Sequence, residues 1–273
     1  MLATAPHTLD LWTSSFAEAP IPVLRRTAIR LASLAADEDR ADARSIASVV
    51  LDDPLMTLKV LAYVAKQRPQ RREGDAETVT AAALMIGISR FFETFALQPT
   101  IRDVLGDRSE ALSGLVSVLK RSYRAARFAL GIAVQRRDTD AEVIHQAALL
   151  HDFAEALLWC HAPELALQMR ARQKADPTLR SADLQREVLG CELVDVQHRL
   201  MQRWCLPELL TRIMDDRNDE HPRVRNVVLA VNLARHTHDS WHNPAVPDDL
   251  AAIGHLLNQS PESVRRKLRE IDG

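Results

Sequence analysis

Apolar residues recur at three- and four-residue steps along most of this chain, and no segment shows the strand-and-hairpin alternation of a β protein. The stock of strand and turn formers is correspondingly thin. Eight Gly, six Phe, four Trp and two Tyr are set among abundant Ala, Leu and Arg. Such a chain folds as packed helices. Its 273 residues suit one large or two small domains. With 47% hydrophobic and 26% charged residues it can bury a sizeable core, which excludes disordered, collagen-like and disulfide-stapled chains.

The periodicity predicts a helix over Leu24–Ala36, entered through Pro20 and Pro22, and a short helix capped by Asp42 that carries Ile46, Val49 and Val50. Asp53-Pro54 reads as an N-cap followed by proline at the first helical position. A loop over residues 68–75 separates this helix from one opened by Thr78 and ended at Gly87, and Phe91, Phe92 and Phe95 mark the next. Ser109–Arg137 is the longest periodic segment, and a second long helix is expected from Asp140 to about Trp159. Shorter helices follow over Glu164–Lys174, Ala182–Leu189, Glu192–Trp204 and Pro207–Asp216, then Val224 to about Trp241 and Asp248–Leu257. Ser260-Pro261-Glu262 starts the last one with a cap, a proline and an acid at the positive end of the helix dipole. The expected architecture is all-α, a multi-helix bundle of two packed helical lobes. A short extension would occupy residues 1–14, a main helical domain 15–215 and C-terminal helices 216–273. The exchange between lobes would fall near the Asp107–Glu110 turn.

Charge and cysteine narrow the classes. A formal net charge of −2 gives no bulk attraction for nucleic acid or an anionic membrane. Cys160, Cys191 and Cys205 are scattered, odd in number and lack any CxxC spacing, so they read as buried or reduced thiols. The N-terminal stretch lacks the basic and apolar regions of a secretory signal, and no apolar run approaches the roughly 20 residues that span a bilayer. A cytoplasmic protein is the expectation.

One pair stands out chemically. His151-Asp152 lies in the apolar run Ala147–Ala154, and burying an adjacent imidazole and carboxylate is costly unless they pair or bind a cation. A divalent metal would satisfy both, and so would a hydrogen-bonded structural pair between helices. The dipeptide alone favours the structural role.

Several segments in order carry a resemblance. They are Pro20-Ile21-Pro22-Val23-Leu24, Ile46 through Leu61 with Asp53-Pro54-Leu55 at its centre, Thr78 through Gly87, Ala148-Leu149-Leu150-His151-Asp152, Glu187-Val188-Leu189-Gly190 and Trp204-Cys205-Leu206-Pro207. Over roughly residues 15–235 the chain resembles the HDOD family, the HD-related output domains. The resemblance implies an all-helical bacterial signalling module, related to HD metal phosphohydrolases but generally without a complete metal site. Relatives are thought to act as outputs or adaptors in two-component, chemotaxis-like or cyclic-dinucleotide circuits.

An active HD enzyme needs an upstream His, the His-Asp pair and a downstream Asp to hold metals that activate a water. Against that pattern the upstream helix offers Arg121, and the segment similar to the one that supplies the Asp carries Asn232. A guanidinium repels a cation and an amide is a weaker ligand than a carboxylate. His151 and Asp152 therefore read as a vestigial pair, Asp152 being open to neutralisation by Arg121, and no catalytic residue, metal or cofactor is expected. Val64-Ala65 stands where the family commonly has Asn-Ser, and the Gly-Tyr-Pro motif of cyclic-di-GMP-cleaving relatives is absent.

Secondary candidates are weaker. Lys66, Arg68, Arg71 and Arg72 form a basic loop able to meet a phosphate or a partner, although no aromatic platform accompanies it. His236, His238 and His242 cluster near a helix end, where a capping or solvated role competes with metal spacing. The basic amphipathic last helix could dock, belong to a helix-turn-helix, or simply end the fold. The reading that follows is a non-catalytic signal-transduction output or adaptor protein that binds other signalling proteins. The alternatives are an HD-type phosphohydrolase on nucleotides or cyclic dinucleotides, and a nucleotide sensor without catalysis.

Overall fold

The computed structural model describes residue 6, residues 8–67 and residues 76–273. In chain order these form α1 (Leu9–Glu18), α2 (Arg25–Ala35), α3 (Ala43–Leu51), α4 (Pro54–Gln67), α5 (Val79–Ile86), α6 (Ile88–Phe95), α7 (Ile101–Leu105), α8 (Ser109–Arg136), α9 (Ala141–Leu150), α10 (Phe153–His161), α11 (Pro163–Ala175), α12 (Ser181–Leu189), α13 (Leu193–Arg203), α14 (Glu208–Ile213), α15 (Pro222–His236), α16 (Val246–Leu257) and α17 (Pro261–Asp272). Short 3-10 turns occupy Glu38–Arg40 and Asp216–Asn218. The fold is all-α. Among the described residues there is no strand, and an isolated parallel bridge joins Val23 to Thr100. No described helix is long and apolar enough to cross a membrane.

The chain divides into two compact units, one holding the residues up to Val118 together with Asp152–Leu206, the other Leu119–His151 together with Pro207–Gly273. The change of unit therefore falls inside α8, not at the Asp107–Glu110 turn. That turn only starts the 28-residue helix, which runs on unbroken. The sequence boundary at residues 14/15 falls inside α1, whose Trp12 and Phe16 are fully buried. Trp12 also donates its indole N–H to the Leu189 carbonyl at 3.0 Å, which satisfies the one polar atom of a buried ring.

In the first unit α3 packs on α5 and α4, and α1 packs on α13. The Asp-Pro segment explains much of the local order. Asp53 is completely buried. Its Oδ1 accepts from the N–H groups of Leu55 and Met56 at 3.0 and 3.2 Å, and its Oδ2 accepts from Leu24 N–H at 2.7 Å. One carboxylate thus caps α4 and ties down the entry to α2. Burial pushes the Asp53 carboxyl above the usual carboxylate range, against the pull of these donors. Asp42 and Ser45 form the reciprocal capping box that starts α3.

Two predicted helices end differently in the structure. The single helix expected over Asp140–Trp159 is broken at His151 and Asp152 into α9 and α10. Asp152 sits at φ −110°, ψ 25°, outside helical geometry, and Gln197 of α13 takes over an α10 amide by accepting from Ala154 N–H at 3.4 Å. Hydrophobic periodicity continues across the break because both halves are buried, so the pattern alone reads as one helix. Likewise α15 stops at His236, not Trp241. Thr237 Oγ1 donates to the Leu233 carbonyl at 2.6 Å, and the chain turns there. Helix α7, with its Thr100–Asp103 capping box, had no counterpart in the sequence reading.

In the second unit α15 packs on α9 and α16, and α17 packs on α16. Asn226 of α15 is buried and donates to the Ala129 carbonyl of α8 at 3.1 Å. Ser260 caps α17 by accepting from Ser263 N–H at 3.3 Å, with Pro261 at the first helical position.

Candidate functional site

His151 closes α9, and its imidazole is nearly buried, with a tenth of its side-chain surface exposed. The helix delivers it to the side of the unit where α14, α15 and the turn between them pack. Asp215 shapes that turn by accepting from Arg217 N–H at 3.3 Å. The next residue, Asp216, is then placed with its Oδ1 at 2.9 Å from His151 Nε2. The histidine thus meets a carboxylate 65 residues further along the chain. Sequence reading missed it, because Asp216 stands in a polar turn, between Met214 and Pro222, that no spacing rule links to His151.

The other positions that the sequence singled out are spread over both units. Arg121 on α8 and Asn232 on α15 belong with His151 to the second unit, and both are half-buried. Asp152 is buried and starts the second segment of the first unit. Among the described residues no three His, Cys, Asp or Glu side chains gather as a set able to hold a metal ion.

Of the basic loop, Lys66 is exposed at the end of α4, while Arg68, Arg71 and Arg72 lie outside the described residues. Beside Lys66 is a cleft of about 260 Å³ lined by Tyr63, Val64, Gln67, Met85, Ile86 and Arg90, which no sequence motif marks. The histidine cluster separates. His236 Nδ1 lies 2.6 Å from Asp249 Oδ2, and His238 and His242 are exposed. Burial raises the Asp249 carboxyl even though His236 draws it the other way.

Several buried groups of the first unit are chemically quiet. Burial pushes the Cys160 thiol far up and lowers His161 to about 4, so the thiol stays protonated and the imidazole neutral at neutral pH. Lys59 is the exception. Burial lowers it to about 8, and its Nζ donates to Gln98 Oε1 at 2.5 Å.

Comparison with known proteins agrees with this architecture. Similar solved structures include the MmoQ response regulator of Methylococcus capsulatus, with TM-score 0.70 and 18% identity over 91% of this chain and 98% of that one. A virulence factor from Campylobacter jejuni matches with TM-score 0.66 and 16% identity over 97% and 98% of the two chains. An HDOD domain protein from Geobacter sulfurreducens matches with TM-score 0.50 and 16% identity over 96% and 93%. At such identities the likeness is one of fold. Comparison with curated proteins returns no match. The family model for the HDOD domain matches residues 21–220, which takes in Asp53-Pro54, His151-Asp152 and Trp204 through Pro207, and on that match the chain belongs to the HDOD family.

Proposed function

We propose that this protein is a non-catalytic signal-transduction output or adaptor that works by binding other signalling proteins in the cytoplasm. The observation that carries the reading is the state of the HD pair. His151 Nε2 is engaged by Asp216, while Arg121 and Asn232 stand at the positions that resemble those of the upstream imidazole and the downstream carboxylate of an active enzyme. A metal ligand must offer a lone pair. A guanidinium has none, and its positive charge repels a cation. This donor set does not fit a hydrolytic metal.

The test is metal content and hydrolysis together. Purified protein is expected to carry no stoichiometric Mn, Fe or Zn by mass spectrometry and to leave p-nitrophenyl phosphate and cyclic dinucleotides uncleaved in added metal. Stoichiometric metal, with hydrolysis that disappears in His151→Ala, would establish the phosphohydrolase instead. A thermal-shift response to a nucleotide without cleavage would favour the sensor.

A further inference from the structure

The segment Leu119–Arg137 of the second unit contains six Lys or Arg residues and no acid. Its outward side is ordered. Lys120, Tyr123, Arg127, Leu130 and Val134 follow one another at alternating steps of three and four residues, the spacing that keeps a seam on one side of a helix, and Arg137 stands just past the end of α8 in the left-handed region, at φ 59°. Such a seam normally faces another helix. Here Tyr123 and Leu130 are each 37% exposed and Val134 is 62% exposed.

The charges on the seam are also distinctive. Arg124 and Arg136, which flank it, are matched by Asp272 and Asp138 at 2.7 and 3.0 Å. Arg127, in the middle, holds the carbonyls of Ile271 and Asp272 at the end of α17. Lys120 and Arg137, at the two ends, are exposed and enter no ion pair among the described residues. The stripe therefore presents the exposed Tyr123, Leu130 and Val134 between two unpaired cations, while the one cation among them, Arg127, is taken up by the end of α17.

We infer that this face of α8 docks an amphipathic helix of another protein, one with apolar residues in the matching seam and carboxylates at its edges. Charge argues for that occupant over a second copy of this chain. An antiparallel pair of these helices would set Lys120 against Arg137 twice, and a parallel pair would set each cation against its twin. An acidic helix would turn both repulsions into attractions and would gain on-rate from the basic field. The inference deepens the adaptor reading by naming a surface and the chemistry of its partner. It fails or stands independently of the metal and hydrolysis measurements.

The probes are two synthetic helices of about three heptads with identical Leu and Ile seams, one edged with Glu and the other with Lys. Binding is followed by fluorescence anisotropy on the full chain. The Glu peptide is expected to bind at least about tenfold more tightly than the Lys peptide, a preference that shrinks in high salt. Leu130→Glu with Val134→Glu should abolish that binding while circular dichroism and melting temperature stay unchanged. Lys120→Glu with Arg137→Glu, which leaves the apolar seam intact, should reverse the preference. Equal binding of both peptides, binding of neither, or full binding by the Leu130→Glu, Val134→Glu variant overturns the proposal. So does a dimer in sedimentation velocity that Leu130→Glu dissociates, since a second copy would then be the occupant.

Discussion

Arg124 grips both carboxylate oxygens of Asp272, with Nε 2.8 Å from Oδ1 and Nη2 2.7 Å from Oδ2. The same guanidinium donates to the carbonyl and the hydroxyl of Thr237, each at 3.0 Å, and Trp241 Nε1 donates to Asp272 Oδ2 at 3.0 Å. Four parts of the second unit therefore meet at one bidentate ion pair: α8, the end of α15, the turn after it and the last helix.

Arg124→Ala is expected to destabilise the protein by about 1–3 kcal/mol in urea unfolding, because a half-buried carboxylate and two Thr237 acceptors lose their donor together. The pH dependence has a definite sign. Burial pushes the Asp272 carboxyl up, but the bonds from Arg124 and Trp241 outweigh it and hold the group below the usual carboxylate range. A depressed carboxyl contributes its stability above its unfolded value and loses it as pH falls through the folded one. Asp272→Asn should therefore flatten the acid limb of the stability curve below about pH 4.

Asp53→Asn is nearly isosteric, yet it should cost about 2–4 kcal/mol. The amide can keep one acceptor toward Leu55 and Met56, but its NH2 must then face the Leu24 N–H that Oδ2 now receives. Chemical denaturation reads the loss. A change within error would show that the carboxylate does not hold α2 and α4 together.

Gly114 permits close packing of α8 on α10. A Cβ there would lie 2.4 Å from the ring of Trp159, which is almost completely buried. Gly114→Ala, favourable on helix propensity alone, is expected to destabilise by about 1–3 kcal/mol through overpacking. The near-ultraviolet signal of tryptophan should change with it.

Lys59 should titrate apart from the other lysines. After reductive methylation with 13C-formaldehyde, one dimethyl-lysine resonance is expected to shift near pH 8, and it should vanish in Lys59→Met. The folded value lies below the unfolded 10.5, so the folded state holds fewer protons between the two. Over that window this group makes stability rise with pH. A Lys59 resonance that moves only above pH 10 would remove the effect.

The sequence by itself determined the helical class, most helix starts and the family. Capping residues such as Asp42, Asp53 and Ser260 act on amides within three residues, and the pattern of apolar residues at three- and four-residue steps records which face is buried. Tertiary structure alone decided that the helix expected over Asp140–Trp159 breaks at the HD pair, that His151 meets Asp216 across 65 residues, and that α8 serves two units. The physical reason is range. Periodicity reports burial but not which neighbour supplies it, and an ion pair such as Arg124–Asp272 leaves no trace in the spacing of its own residues until folding brings α8 and α17 together.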